Sequence, residues 1–519
     1  MRHSTTRGNE TTAHRRNRAA LVVAVAIVVL AALLRFEGLG RDSLWYDETG
    51  SLEYARGPIS HPRHWNNGMA LYHVMLHGWI RLAGESEAAL RFPSALFGIA
   101  AVALLIVLVR RINGWPTALV AGLILALAWR HVYYSQEARA YSLFIMLAVL
   151  ATLLLVRLLE RPGTGRLIVY GIALVALAYS HYQWIFVVAF HNAAVLASRR
   201  RVGWGWLVLH GVVVLAYVPQ IVLGVLPQMH ASLAHMPRHP TVADALWALQ
   251  DFFSLSLQQA IAGPVPGARA LNRVALYLLP LVAAAGIASC ALETAVRLAP
   301  RLLRRVARCA APASSSGGGP VLTWLPPLWF GIVFVLPFLI AQTGAPVFRW
   351  RYAAGTLPVY CWLIALTVAA LPRAWLRIVL AALCVMLTLP ALETMKMMPM
   401  REDWRGCAET IMAGEQPGDR IVLCHFRIQR PFRTYYRGVL PITGVSRDLT
   451  DEAEITAALE WTEAPKRVWL VVSHDPTRAI IPYFMRRADY RLVRDHDEEC
   501  RGITLLLLEH VPAGDAPDE

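Results

Sequence analysis

Charged side chains are scarce in this sequence. Asp, Glu, Lys and Arg make up 16% of its 519 residues, whereas soluble globular domains carry about 25%. Hydrophobic residues account for 56%, and the mean hydropathy is +0.44. This composition excludes an intrinsically disordered chain, because low hydrophobicity is the signature of disorder. It also argues against a soluble enzyme, because the apolar residues form runs too long for a water-facing domain to bury.

Acidic residues are especially rare before residue 393. Residues 1–392 hold 33 basic and 13 acidic residues, whereas residues 393–519 hold 17 basic and 22 acidic ones. The chain therefore divides into a basic membrane body and a mildly acidic soluble tail. Membrane topology explains the arginines of the body better than a polyanionic ligand does, so we expect no nucleic-acid partner.

Eleven apolar runs are candidates for membrane-spanning helices, each of which needs about 20 apolar residues, with a tolerance of a few either way. Flanking arginines can extend the shorter runs by reaching the membrane surface. The predicted spans are Ala19–Leu34, Phe92–Val109, Trp115–Trp129, Tyr141–Leu158, Leu167–Tyr179, Trp184–Ala197, Trp204–Leu223, Val274–Val296, Val321–Ala341, Tyr352–Leu371 and Leu376–Leu389.

The arginines between these runs predict the orientation, because short cytoplasmic loops are enriched in Lys and Arg. Residues 1–18 then form a cytoplasmic tail, and residues 19–392 form the membrane domain, with a large first external loop at 35–91. An odd number of spans places residues 393–519 outside. The first run could instead be read as a cleaved signal peptide, but no small-residue cleavage site follows it.

The tail has the pattern of a small α/β domain. Strands are predicted at Arg420–Phe426, Arg467–Val472 and Ile503–Glu509, with helical spacing between them over Asp451–Trp461. This alternation indicates a largely parallel sheet. The three cysteines of the tail allow at most one disulfide, and the sequence does not decide whether one forms. They are Cys407, Cys424 and Cys500.

Polar residues gather in three stretches that the predicted topology places on the external side. Seven of the thirteen acids of residues 1–392 fall in the first external loop. This distribution indicates a functional site at the outer membrane surface, since ionisable groups at membrane depth are costly. The stretches are LWYDETG at Leu44–Gly50, YYSQEARAYS at Tyr133–Ser142 and FRWRY at Phe348–Tyr352.

The residue types in these stretches suit acid–base and anion chemistry. Asp47 and Glu48 follow aromatic residues, and desolvation beside apolar rings raises the basicity of a carboxylate, as general-base catalysis requires. Arg349 and Arg351 carry guanidinium groups, whose fork of donors matches a phosphate. Glu137 places a further acid among tyrosines in the middle stretch.

Each of these patterns also has a simpler interpretation. An Asp-Glu pair in a loop is often a solvated surface or a helix start. Glu137 and Arg139 could neutralise each other, and the two arginines of FRWRY could only reach the membrane surface. His73 and His77 have metal-ligand spacing on a helix, but without a third ligand they are better read as packing histidines. His181 lies in another external turn, and its role stays open.

Together these motifs resemble the GT-C membrane glycosyltransferases, and within them the bacterial dolichyl-phosphate-mannose–protein mannosyltransferase-like group. That group is glycosyltransferase family 39-like and includes the lipid A aminoarabinose transferases. One departure concerns NNGMALYH (Asn66–His73), which has no proline where the family often has a His-Pro-Pro-like stretch. The matching stretches are LWYDET (Leu44–Thr49), LYHVMLHGW (Leu71–Trp79), EAALRFPSALFG (Glu87–Gly98), YSQEARAYSL (Tyr134–Leu143), RWRY (Arg349–Tyr352), DWRGCAETI (Asp403–Ile411) and PGDRIVL (Pro417–Leu423).

The resemblance implies a polytopic α-helical membrane enzyme with the GT-C fold and a C-terminal extracytoplasmic α/β domain. It implies inverting transfer of a sugar from a polyprenyl-phosphate monosaccharide to a glycan, lipid or protein of the cell envelope. The implied place is the outer face of the bacterial cytoplasmic (inner) membrane. No cofactor is certain, and a divalent cation stays open.

The resemblance also implies residue roles. Asp47 takes the proton of the acceptor hydroxyl, and Glu48 orients the loop or contacts the acceptor. Glu137 positions the acceptor or a metal ion. The residues expected to bind the lipid phosphate are Arg139, Arg349, Arg351 and Tyr352, with His181 and Tyr134 as additional candidates.

Two other classes of protein compete with this interpretation. A lipid-linked sugar transporter or flippase would use the same external cations, but it predicts charged residues along a path through the spans. The predicted spans are nearly free of acids, with Glu293 as their exception, which favours an enzyme that acts at one surface. A membrane scaffold would leave the polar loop residues without a purpose.

Overall fold

The structure is a computed structural model of the full sequence. The residues it describes are 3–59, 68–198, 203–226, 239–253, 268–298, 323–345, 347–348, 350–397, 400–446, 451–459, 461, 464–473, 479–487, 489–496 and 500–511. The stretch APASSSGGG at Ala311–Gly319, whose composition predicts a flexible cytoplasmic linker, lies outside these residues.

The chain forms two compact units. The first, here called the membrane unit, consists of Met1–Leu39, Tyr54–Gly84 and Ala89–Met398. The second, the C-terminal unit, consists of Gly40–Glu53, Glu85–Ala88 and Pro399–Glu519. The C-terminal unit therefore contains two pieces of the 35–91 segment, predicted as the first external loop, in addition to the C-terminal tail.

Helices make up almost all of the regular structure up to Met397. Their bounds are α1 (His3–Phe36), α2 (Tyr46–Arg56), α3 (Ala70–Ala83), α4 (Glu87–Leu127), α5 (Trp129–Ser135), α6 (Tyr141–Glu160), α7 (Thr164–Ala178), α8 (Trp184–Ala197), α9 (Trp204–Gln220), α10 (Val242–Gln250), α11 (Ala268–Leu298), α12 (Leu325–Phe330), α13 (Leu336–Ala341), α14 (Leu357–Ala370) and α15 (Ala374–Met397). Wider π-helical turns at Ile221–Val225 and Gly331–Val335 extend α9 and join α12 to α13, and a 3₁₀ helix at Trp350–Thr356 precedes α14.

The described part of every predicted span falls mainly on apolar helix, so a polytopic helical membrane protein is confirmed. Six helices are long and apolar enough to cross a membrane, and four shorter apolar helices accompany them among the described residues. The long helix α4 contains two predicted spans, separated at Gly114, where a φ of 81° breaks the helical backbone. Glycine adopts this left-handed conformation without steric cost, which is why the helix can turn there.

The membrane unit buries its central helices and exposes its outer ones. Nearly all of α14 is buried, and the indole N–H of its Trp362 donates to the Asn113 side chain at 2.8 Å. By contrast, α1 exposes Val22 at 68% and α9 exposes Leu215 at 72%. Apolar side chains on these outer helices suit contact with lipid tails, which satisfy them as well as a protein core does.

The soluble tail forms a five-stranded mixed sheet flanked by helices. Its elements are α16 (Trp404–Gly414), β1 (Asp419–Cys424), α17 (Gln429–Tyr435), β2 (Ile442–Val445), α18 (Glu452–Leu459), β3 (Arg467–Val472), α19 (Ile480–Met485), β4 (Tyr490–Asp495) and β5 (Thr504–His510). The strand order is β2-β1-β3-β5-β4. The three predicted strands are confirmed as β1, β3 and β5.

The largely parallel sheet predicted from the sequence is only half correct. Strands β1, β2 and β3 pair in parallel, but β5 runs antiparallel to both β3 and β4. No crossover helix is needed between β4 and β5, because a short connection can join antiparallel neighbours.

The two faces of the sheet pack separate cores, and they divide the cysteines. Cys407 and Cys500 belong to the core that contains Trp404 and Trp469, whereas Cys424 lies in the opposite core. The Cys407 thiol donates a hydrogen bond to the Cys500 sulfur, and this bond, together with burial, raises the pKa of Cys407. These three cysteines are free thiols in the structure.

A buried ion pair joins the first residues of β1 and β3. The Asp419 carboxylate accepts from Arg467 Nε at 2.9 Å and Nη2 at 2.6 Å, and from the Trp469 indole at 3.1 Å. Asp419 is 1% exposed and the Arg467 side chain is 16% exposed. Removing one partner of a buried pair leaves the other charge uncompensated.

We therefore predict that Asp419→Ala destabilises the C-terminal unit by about 3–5 kcal/mol. The matched control is Glu509→Gln, which breaks the exposed pair between Arg491 and Glu509 on the same sheet and should cost about 1 kcal/mol or less. Thermal unfolding of the purified full chain, followed by protease sensitivity of the tail, measures both. Equal losses in the two variants would contradict the prediction.

Candidate active site

The predicted Asp-Glu pair lies in the first turn of α2. Both carboxylates therefore sit at a helix N-terminus, where the helix dipole favours negative charge. The two side chains differ in environment. Asp47 is half-buried, whereas Glu48 is fully buried.

The surroundings of Glu48 explain its burial. Its Oε2 accepts from the backbone N–H of Trp45 at 3.5 Å, which caps the start of α2. The same oxygen lies 3.5 Å from Nε of Arg401, whose side chain is 6% exposed. Glu48 thus fixes the helix start, and Asp47 is the carboxylate of the pair that solvent or a reactant can approach.

Glu137 and Arg139 lie in the turn between α5 and α6, and both are buried. The turn is tight, with the Arg139 N–H donating to the Glu137 carbonyl at 2.7 Å. The carbonyl of Arg139 accepts from the Ser94 hydroxyl at 3.2 Å, and Ser94 in turn contacts the Tyr72 hydroxyl at 2.9 Å. Helices α3 and α4 therefore hold this turn in place.

His181 lies in the turn between α7 and α8 within a shell of aromatic rings. Its ring stacks on Tyr182 at 4.3 Å and lies 5.1 Å from Phe144. The backbone N–H of Gln183 donates to Nδ1 at 3.2 Å. Burial, and secondly the charge of Arg139, lower the pKa of His181 to about 3. The imidazole is therefore neutral at physiological pH.

Tyr134 stacks on Tyr141 with ring centroids 4.7 Å apart, and it is buried in a cluster with Ala101, Ile145 and Ala354. Burial raises its pKa well above 10. The phenol therefore stays protonated and can donate a hydrogen bond.

A buried ion pair beside Tyr134 is not among the residues predicted for the site. Arg130 in α5 pairs with Asp251, which follows α10, and both are buried. The Arg130 guanidinium also lies 3.9 Å from the Trp129 ring centroid. Burial raises the pKa of Asp251, and the charges of Arg130 and Arg351 oppose that rise.

Arg351 belongs to the same cluster, because its charge acts on both Asp251 and Tyr134. The structure thus brings together predicted residues from two of the three stretches, 133–142 and 348–352. Arg349 lies outside the described residues, as does the side chain of Tyr352. The segment before them is placed by Gln183, whose amide donates to the Val347 carbonyl at 3.0 Å.

The histidine pair of α3 has packing contacts. His77 Nδ1 lies 2.7 Å from the Ala55 carbonyl oxygen, and the His73 ring lies 4.9 Å from the Tyr54 ring. Among the residues that the structure describes, no group of three or more His, Cys, Asp or Glu side chains has the geometry of a metal site. A divalent cation stays a prediction without an assigned ligand set.

The missed residues carried weak signals. Asp251 stands in a connection that is otherwise poor in acids, and Arg130 lies three residues before the start of the YYSQEARAYS stretch. Only their pairing across 121 positions identifies them as one cluster.

Comparison with known proteins confirms the predicted resemblance. Residues 70–222 match the family described as dolichyl-phosphate-mannose-protein mannosyltransferase. This segment includes Tyr134, Glu137, Arg139 and His181, but not Asp47 or Arg351. The search of curated proteins finds no match.

Solved structures of membrane glycosyltransferases share the fold. Apo ArnT from Cupriavidus metallidurans matches with a TM-score of 0.54 and 14% identity, over 94% of this chain and 98% of that one. ArnT bound to undecaprenyl phosphate matches with a TM-score of 0.49 and 15% identity, over 95% of this chain and 99% of that one. The Archaeoglobus fulgidus oligosaccharyltransferase, in complex with Zn and sulfate, matches with a TM-score of 0.51 and 13% identity. This match covers 86% of this chain and 67% of that one. The GT-C fold is therefore confirmed.

The pKa of His181 predicts how stability depends on pH. The imidazole binds a proton near pH 6.5 in the unfolded chain but only near pH 3 in the folded one. The contribution of His181 to the free energy of unfolding is therefore fully present above about pH 6.5, and it falls as the pH drops towards 3. Between pH 7 and 5 the loss should be about 2 kcal/mol. His181→Gln should remove this part of the decline, measured by thermal unfolding of the detergent-purified chain at both pH values. An unchanged decline would show that His181 is not the buried neutral group described.

Proposed function

We propose that this chain, which has the GT-C fold, is an inverting glycosyltransferase that uses a polyprenyl-phosphate monosaccharide as donor. The acceptor is a hydroxyl of a cell-envelope glycan, lipid or protein at the outer face of the bacterial cytoplasmic membrane. The observation that carries the proposal is the cationic cluster of the membrane unit. It holds the buried Arg130 and Arg139 and the half-buried Arg351, in a unit built of apolar helices. Such surroundings suit an anion attached to a lipid.

The donor phosphate has suitable partners in this cluster. Guanidinium groups bind phosphate with paired donors, and we assign Arg139 and Arg351 to it, with Arg349 and Tyr352 as further ligands. Tyr134 adds a neutral donor. The polyprenyl chain would lie along exposed apolar helices, where each buried methylene contributes about 0.8 kcal/mol.

The chemical step is a single displacement at the anomeric carbon. As the acceptor oxygen forms its bond to that carbon, Asp47 takes the hydroxyl proton. The bond from the anomeric carbon to the phosphate oxygen breaks, and the electron pair leaves with the phosphate. Arginines that are already in place stabilise this added charge without having to reorganise.

The remaining acids have supporting roles in this proposal. Glu48 is buried at the capped start of α2, which suits orientation of the loop better than contact with the acceptor. Glu137 is buried beside Arg139 and would position the acceptor or a divalent cation. His181 is neutral near pH 7, so its imidazole can form hydrogen bonds at the site but cannot relay a proton there.

We predict that Asp47→Asn lowers transfer by about 10²–10⁴-fold, because the amide cannot accept the proton. The assay incubates detergent-purified protein with a polyprenyl-phosphate sugar and acceptor-containing envelope extract, and it measures released polyprenyl phosphate. The matched control is Glu53→Gln on the same helix, whose exposed ion pair with Arg430 should be dispensable. Near-normal turnover of Asp47→Asn would remove the general-base assignment. A flippase would release no polyprenyl phosphate even in the wild-type chain.

We also predict that Arg351→Ala weakens donor binding and transfer, with a loss of rate of about 10²–10³-fold. Binding of a polyprenyl-phosphate sugar to the purified chain measures the first effect, and turnover at saturating donor the second. Arg373→Ala, which removes an exposed arginine before α15, is the control and should bind the donor normally. Unchanged donor affinity of Arg351→Ala would count against a phosphate ligand at this position.

A further inference from the structure

The loop that carries Asp47 is built into the C-terminal unit. Residues Gly40–Glu53 belong to the same compact unit as Pro399–Glu519. Several contacts hold the loop. The Met400 N–H donates to Asp42 at 3.1 Å, and the Ser43 hydroxyl donates to Asp403 at 3.1 Å. The Leu44 N–H donates to the Tyr435 hydroxyl at 2.7 Å, and Glu48 pairs with Arg401 at 3.5 Å.

The Glu48–Arg401 contact differs from the others because both charged groups are buried. The Glu48 side chain is 0% exposed and the Arg401 side chain is 6% exposed. A buried carboxylate that loses its counter-charge is strongly destabilised and must protonate, move or draw in water. Glu48 also caps the first turn of α2 through Trp45 N–H. Any movement of Glu48 therefore moves the helix start on which its neighbour Asp47 stands.

We propose that Arg401 is a positioning residue for the transfer reaction. It acts through Glu48, whose charge it compensates, and so fixes the orientation of Asp47 at the start of α2. This proposal rests on the proposed function, because it assumes that Asp47 is the base. It gives the C-terminal unit a role in catalysis besides any binding of acceptor.

A second arginine of the C-terminal unit shows why burial matters here. Arg430 pairs with Glu53 at 2.8 Å and lies 5.2 Å from the Tyr46 ring centroid. Its side chain is 36% exposed and that of Glu53 is 43% exposed. Water can replace either partner of this pair, so its loss should be mild. Water does not reach the fully buried Glu48 carboxylate, so it cannot take the place of Arg401 there.

The proposal predicts which kinetic parameter changes. The residues assigned to the donor phosphate lie in the membrane unit, whereas Arg401 acts on the base. Arg401→Met should therefore lower kcat by about 10–100-fold, as small misplacements of reacting groups do. The KM for the donor should change by less than about twofold, because uniform binding is not affected.

The test compares wild type, Arg401→Met, Glu48→Gln, the double variant and Asp47→Asn, all as the purified full chain. If Glu48 and Arg401 act as one unit, the double variant loses no more kcat than Arg401→Met alone. Arg491→Met, which breaks an exposed pair on β4, is the control and should match wild type. The proposal would be overturned if the kcat losses of Arg401→Met and Glu48→Gln multiplied in the double variant. A wild-type kcat for Arg401→Met, or a raised KM for the donor, would overturn it as well.

A second readout separates this proposal from the proposed function. Amide hydrogen exchange over residues 44–53 should be at least about tenfold faster in Arg401→Met than in wild type or Arg491→Met, because the capped turn loosens. If the wild-type chain shows no turnover, the proposed function fails, while the exchange data still test the contact. Unchanged exchange together with an active wild type would overturn the positioning role alone.

Discussion

The cost of burying a charge governs the arrangement of both units. A charged group removed from water needs an opposite charge or several hydrogen-bond donors. In the part of the chain that the structure describes, three pairs with buried carboxylates meet this need. Arg130 faces Asp251, Arg401 faces Glu48 and Arg467 faces Asp419. Each pair joins segments that are far apart in sequence. The pairs therefore fix tertiary positions that apolar packing alone would leave free to slide.

Neighbouring carboxylates of the Asp-Glu pair acquire different tasks from this constraint. The Glu48 carboxylate accepts from the N–H at the helix start and pairs with Arg401, whereas Asp47 is half-buried beside it. Adjacent residues on a helix point in directions about 100° apart, so one can face the interior while the next faces a reactant. In the proposed reaction, this division would separate a group that has to stay in place from a group that has to exchange a proton.

Sequence patterns predicted the helices and the candidate residues but not their partners. Hydropathy identifies a span because every residue of an apolar run contributes to it, and so all eleven runs lie on helices. The partners of these residues could not be predicted from the sequence, because they lie far away along the chain. Asp251 pairs with a residue 121 positions away, and Ser43 contacts Asp403 across 360; such contacts leave no local periodicity. Strand β4 was missed because its RLVRD stretch is exposed after Tyr490 and lacks a clear apolar face.

The charge balance of the membrane unit suits a phosphate that gains charge during the reaction. The described part of the cluster holds three arginines and two acids, and it has a net charge of +1 when both acids are ionised. These residues are Arg130, Arg139, Arg351, Glu137 and Asp251. Neutral His181 and Tyr134 add donors without adding charge. A sugar-linked lipid phosphate carries one negative charge, and the phosphate released from it approaches two near pH 7. In the reaction proposed above, such a cluster would attract the donor and attract the leaving phosphate more strongly, which is the difference in binding that accelerates a reaction.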